Sequence, residues 1–137
     1  MKTKSIKQSV IFQAAPHEVY DLIMNSKKHG AFTGGKVSVS KKINGQFNIF
    51  DGYVRGYNIE LMEGNKIVQA WHFTEDGWPE DHFSICTFQF ENHSKGTKLN
   101  FVQTGVPEHK VQSLKDGWKR YYWEPMKQFL TNIEKKK

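Results

Sequence analysis

Apolar positions along this chain keep two rhythms, and the change of rhythm outlines the elements. In "SIKQSVIFQ", residues 5–13, Ile6, Val10 and Phe12 fall on one face of an extended run, which predicts a first strand. In "APHEVYDLIMN" the spacing turns helical. Val19, Leu22 and Ile23 form a stripe, and Pro16 suits the first helical position, where its missing N–H costs nothing. Ser26 is placed to cap a second short helix, "KKHGAFT", which ends at Gly34 and Gly35. From Lys36 to Gly105, short β-branched and aromatic runs alternate with turn signals. These are "NG" at 44–45, "DG" at 51–52, "EGN" at 63–65, "EDGWPED" at 75–81 and "NHSKG" at 92–96. Six strands are predicted there, near 36–41, 46–51, 54–62, 66–73, 82–91 and 97–105, joined as an antiparallel meander.

After Pro107 the helical spacing returns. Val111, Leu114, Trp118, Tyr121, Tyr122, Met126, Phe129 and Ile133 step by three and four. Pro107 is expected to start this helix. Pro125 sits inside it and removes the bond to the Tyr121 carbonyl, which predicts a kink. The order strand, two helices, six strands, long helix predicts an α+β fold: a curved antiparallel sheet of six to seven strands holding the last helix on its concave face. Trp123 lies off the stripe of Trp118 and Tyr122 and is assigned to a helix flank or to a contact between two copies. In "IVQAWHF", Ile67, Trp71 and Phe73 share one face. In "HFSICTFQF" both the odd set (Phe83, Ile85, Thr87) and the even set (Ser84, Cys86, Phe88, Phe90) carry apolar residues, so alternation leaves the inner face of that strand open.

The totals change the picture in three ways. With 137 residues and no repeat or linker, the chain reads as one domain over 1–137. Aromatics make up 14% of it, which favours a few large packing units over an aliphatic core. The net charge of +6 comes from scattered lysines, and only Arg55 and Arg120 are arginines; a nucleic-acid surface uses more Arg and concentrates it. The charge therefore implies no nucleic acid but a bias toward acidic protein partners. The run Lys135–Lys137 sits where a helix dipole favours cations. Cys86 is the only cysteine, "MKTKSIKQSVIF" lacks the apolar core of a signal peptide, and no apolar run is long enough to span a bilayer. A cytoplasmic protein with no membrane partner is expected.

The ordered series "AFTGG", "NGQFNIFDGYVRG", "NKIVQAWHF", "GWPEDHFSICTFQF", "KGTKLNF", "TGVP" and "DGWKRYYWEPMKQF" resembles the activator of 90-kDa heat-shock protein ATPase family, in its C-terminal-type domain. The likeness runs from the first strand to Phe129 and is most specific from Phe47 to Tyr122. It implies membership of the helix-grip superfamily of START-like (SRPBCC, Bet v 1-like) proteins, with a cavity between sheet and C-terminal helix. Two-domain eukaryotic activators carry a further N-terminal domain that contributes to chaperone binding. Here the first strand starts within a few residues of Met1, so a stand-alone domain is expected.

Candidate chemistry is sparse. His17, His29, His72, His82, His93 and His109 form no metal-ligand pattern, and no cofactor fingerprint or nucleophile motif is present, so neither metal nor cofactor is expected. His72 and His82 read as strand residues with polar tips, and Cys86 as a small buried hydrophobe. Glu60 would act as a base only if aimed into an apolar cavity. Trp78, before Pro79, reads as a plug over a cavity end or as a partner contact. The aromatic set Phe47, Ile49, Trp71, Phe73, Phe83, Phe101, Trp118 and Tyr122 supplies the candidate lining of a pocket, with the Tyr122 hydroxyl as its polar handle. The reading is a non-enzymatic domain that binds a small hydrophobic ligand, monomeric or weakly dimeric. The alternatives are a protein-binding module acting on a 90-kDa chaperone and a cyclase- or hydrolase-like enzyme.

Overall fold

A computed structural model describes residues 1–135. The chain runs β1 (Thr3–Phe12), α1 (Pro16–Met24), α2 (Ser26–Thr33), β2 (Val37–Val39), β3 (Gln46–Ile49), β4 (Val54–Met62), β5 (Lys66–Phe73), β6 (Ser84–His93) and β7 (Gly96–Pro107). A 3₁₀ turn at Glu108–Lys110 leads into α3 (Val111–Trp118), a π turn (Lys119–Trp123) and α4 (Glu124–Lys135). Lys136 and Lys137, two of the three lysines read as dipole partners, lie outside the described residues. The seven strands form one curved antiparallel sheet in the order β1-β7-β6-β5-β4-β3-β2, with the terminal helical rod on its inner face.

Register decides what alternation left open. Trp71 lies opposite Ser84, Gln69 opposite Cys86 and Ile67 opposite Phe88. Facing residues in a pleated pair share a side, so the even set of β6 points inward and Phe83 is on the other side. The short helices follow their caps with one correction. Asn25, not Ser26, caps α2, its side chain accepting from the Lys28 N–H at 3.0 Å. Ser26 instead pins β2, its hydroxyl accepting from the Val39 N–H at 2.8 Å. Gly34, at φ +77°, ends α2 as expected.

Gly56 sets the closeness of the middle strands. It lies between Phe47 on β3 and Trp71 on β5. A Cβ there would come within 1.8 Å of the Ala70 carbonyl oxygen and 2.6 Å of the Phe47 ring. Its absence lets the Phe47 and Trp71 rings meet at 5.5 Å. Gly56→Ala is expected to lower stability by about 1–3 kcal/mol, because the obstacle includes paired backbone that cannot swing aside. An unchanged urea midpoint would contradict this packing.

The rod also departs from expectation. Pro107 closes β7, and the 3₁₀ turn separates it from α3. Where a kink was predicted, the winding widens: the Glu124 N–H bonds the Lys119 carbonyl, five residues back. Pro125, the next residue, has no N–H and crowds the carbonyl four residues back, and a wider turn relieves both demands. In a π turn residues five apart come into line. Trp123 thus lies over Trp118, ring centroids 5.5 Å apart and planes within 18°, and is only 4% exposed. Its indole N–H donates to Gln8 Oε1 on β1 at 2.7 Å, so it is a core residue and not a contact between copies. Tyr121 leaves the stripe and is half exposed.

Candidate functional site

The rod grips the sheet through indole rings, each tied to an amide. Trp118 donates to Gln103 Oε1 at 2.8 Å and Trp71 to Gln69 Oε1 at 2.9 Å. Gln103 passes the chain on to Ser84 Oγ, and Gln69 to Asn58 Oδ1, each at 2.9 Å. The Asn58 amide then holds the carbonyls of Ser40 and Lys42 in the β2–β3 turn. Buried polar groups need such partners, and these fix the ring planes as well as the ring positions.

Beside this anchor a pocket of about 400 Å³ opens to solvent. One wall comes from the β3–β4 turn and the start of β4, with Phe50, Tyr53 and Val54. Phe50, Asp51 and Gly52 all have positive φ, and this left-handed run turns Phe50 toward the rod. The floor is Trp71 and Phe73 of β5, with Glu75 just beyond the strand. The opposite wall is the rod: Ser113, Leu114, Gly117, Trp118, Tyr121 and Tyr122. A Cβ on Gly117 would meet nothing nearer than the Tyr121 ring at 4.0 Å, so this glycine leaves open space against the helix backbone.

Four of the eight residues singled out in the sequence meet at this pocket: Trp71, Phe73, Trp118 and Tyr122. Phe47, Ile49 and Phe101 are fully buried in the packing around it, Phe47 against Trp71 and Phe101 against Trp118. Phe83 is a correction. It packs on the outer side of the sheet with Tyr57 and His72, and the Arg55 guanidinium lies 5.6 Å from its ring centre. Sequence reasoning did not single out the other lining residues: Phe50, Tyr53 and Glu75, which belong to turns, and Val54, Ser113, Leu114, Gly117 and Tyr121 on the strand and rod. The signal was the "FDGY" turn itself, read only for its glycine.

Trp78 closes the region behind the pocket, its ring 4.8 Å from Phe73 and its N–H donating to the His82 carbonyl at 2.8 Å. His72 Nδ1 bonds the same carbonyl, and His82 Nε2 bonds the Gly105 carbonyl at 2.6 Å, so both histidines fasten a loop. Glu60 pairs with Lys66 at 3.2 Å on the surface, away from the pocket. Cys86 is fully buried, and burial pushes its thiol up while a hydrogen bond to Ser84 partly offsets it. Among the described residues no three His, Cys, Asp or Glu converge as metal ligands.

The Tyr122 and Tyr53 hydroxyls on the pocket wall already have partners. The Ile23 carbonyl can only accept, so His29 Nδ1 carries the proton there, at 2.9 Å. His29 Nε2 then accepts from the Tyr122 hydroxyl at 2.7 Å. Burial pushes Tyr122 well up, and holds His29 down to about 4 against the opposing pull of the Ile23 carbonyl. Tyr53 donates to Glu75 Oε2 at 2.8 Å and is pushed up to about 12, by burial first and then by that carboxylate.

A curved antiparallel sheet that holds a C-terminal helical rod on its inner face, with an aromatic pocket between them, defines a helix-grip domain. The family model for Activator of Hsp90 ATPase homolog 1-like protein matches residues 13–131, and the chain belongs to that family. It is 34% identical over 119 residues to an activator of 90 kDa heat shock protein ATPase homolog from Dictyostelium discoideum, covering 86% of this chain and 30% of the relative. It is 32% identical over 117 residues to the human activator homolog 1, covering 85% of this chain and 34% of the relative. The chain thus spans about a third of the length of the curated relatives it matches. Among solved structures, an HSP90 activator from Plasmodium falciparum superposes with a TM-score of 0.74 at 24% identity, covering 96% of this chain and 93% of that one. A Mesorhizobium loti protein superposes at 0.82 with 16% identity, covering 94% and 98%. These two share the fold. No described helix is long and apolar enough to cross a membrane.

Proposed function

We propose that this domain binds a small, largely apolar molecule in the pocket between rod and sheet without transforming it. The observation that carries the reading is the pocket itself: about 400 Å³ walled by seven aromatic rings, beside a tightly packed core. Apolar, concave and largely pre-formed is the usual character of a small-molecule site. Tyr53, pushed up to about 12, is a poor proton donor near neutral pH, which favours binding over acid–base chemistry. Native mass spectrometry of protein from its own host is expected to show a retained adduct. Added 2-naphthalenemethanol is expected to shift the NMR signals of the Trp71 and Trp118 indoles and of Gly117. Protein that arrives empty and shows no shifts at millimolar probe would end this reading.

The relatives favour a second reading. Two proteins named as activators of the 90 kDa heat shock protein ATPase are more than 30% identical to most of this chain. As a part of such an activator, or alone, the domain would act on a 90-kDa chaperone, with its positive charge toward an acidic surface. ATP hydrolysis by the host chaperone should then change on addition of this protein, less so as salt rises. Unchanged hydrolysis at saturation would remove this reading and leave the first untouched.

A further inference from the structure

The pocket wall offers few free donors and one open carboxylate oxygen. Trp71, Trp118, Tyr53 and Tyr122 each have their N–H or O–H committed to the protein, to Gln69, Gln103, Glu75 and His29 respectively. Only the Ser113 and Tyr121 hydroxyls remain, and Tyr121 stands at the half-exposed rim. Glu75 is the single charged side chain on the wall. Its Oε2 takes the Tyr53 hydroxyl, and the Lys110 ammonium is 3.7 Å from that same oxygen, beyond hydrogen-bond reach. Among the described residues no hydrogen bond reaches Oε1, and the Glu75 side chain is 26% exposed.

We infer that the pocket selects apolar molecules that carry an amine, with the ammonium on Glu75 Oε1 and the body against Trp118 and Tyr122. The inference rests on the proposal that the pocket binds small molecules, and names their class. A carboxylate ligand would face the like charge of Glu75, with the Ser113 and Tyr121 hydroxyls as the only wall donors to replace its water, and would have to draw Lys110 away from Glu75 to be paired. An ammonium meets the opposite setting: one available carboxylate oxygen and ring faces whose quadrupoles attract cations. Lys110 is the competing cation and holds Glu75 only loosely.

Three probes on one bicycle test this with the full chain, by calorimetry at neutral pH and low salt: 2-naphthylmethylamine, 2-naphthalenemethanol and 2-naphthoate. The amine is expected to bind about tenfold more tightly than the alcohol, as a charge-assisted hydrogen bond implies, and the acid most weakly. Glu75→Gln should bring the amine down to the level of the alcohol and leave the alcohol within about twofold of its original affinity. Lys110→Met should widen the preference for the amine, and it carries the test should Glu75→Gln fail to fold. An amine no tighter than the alcohol, an advantage that survives Glu75→Gln, or a preference that narrows in Lys110→Met overturns the inference; alcohol binding in those cases keeps the pocket reading intact. Failure of all three probes overturns the inference, and overturns the pocket reading as well where the protein also arrives empty from its host.

Discussion

Trp118→Ala is expected to remove about 3–5 kcal/mol of stability, the usual cost of deleting a large buried aromatic side chain. This ring is 3% exposed and touches Trp71, Phe101, Tyr122 and Trp123, with centroids 4.4 to 5.5 Å away. It ties the rod to the sheet through the Trp71 and Phe101 rings and the Gln103 amide. Deleting it also strips Gln103 Oε1 of its donor, a further cost of about 1–3 kcal/mol unless water enters from the pocket. A domain of this size is stable by only about 5–15 kcal/mol, so the variant should lose a large part of its stability. Trp118→Phe keeps most of the ring contacts and loses the hydrogen bond, and should fall between wild type and Ala. Denaturant titration of the three proteins checks the order. A loss under about 1 kcal/mol for Ala would mean that the rod is held elsewhere.

Acid should weaken the fold through His29. Its folded value, about 4, lies below the 6.5 of an open chain. Between these values the unfolded chain binds a proton that the folded chain refuses, so stability increases with pH across the window. The contribution is complete above about 6.5 and is lost as pH falls toward 4, roughly 3 kcal/mol in all. The physical reason is plain in the geometry. His29 is buried between the Phe32 and Tyr122 rings, where a charged imidazole would lose its water. His29→Gln is expected to be less stable at neutral pH and to lack this slope. Carboxylates titrate in both proteins, so the difference between the two curves isolates the histidine. Parallel curves from pH 7 to 4 would show that His29 does not carry the effect.

How far the residues could be read ahead depends on the kind of information. The stripe Leu114, Trp118, Tyr122, Met126 and the short runs between turn signals are local patterns, and they gave the element order. Two outcomes were not local. The inner face of β6 needed the pairing of Trp71 with Ser84, which no single strand carries. The exchange of Trp123 for Tyr121 needed the π turn. Pro125 announced an irregularity there without saying whether the helix would bend or widen. Pocket residues split the same way: Trp71, Phe73, Trp118 and Tyr122 were legible from periodicity, whereas Phe50, Tyr53 and Glu75 are brought in by turns whose path depends on the whole sheet.

The wide winding at Lys119–Trp123 has a bearing on how relatives are compared. It stores one more residue than a regular coil of the same rise, so the rod before it and the rod after it are indexed differently. A homologue that winds evenly from its Trp118 equivalent to its Met126 equivalent must spell that stretch with one letter fewer. An alignment that forbids a gap there will match the wrong side chains all along α4.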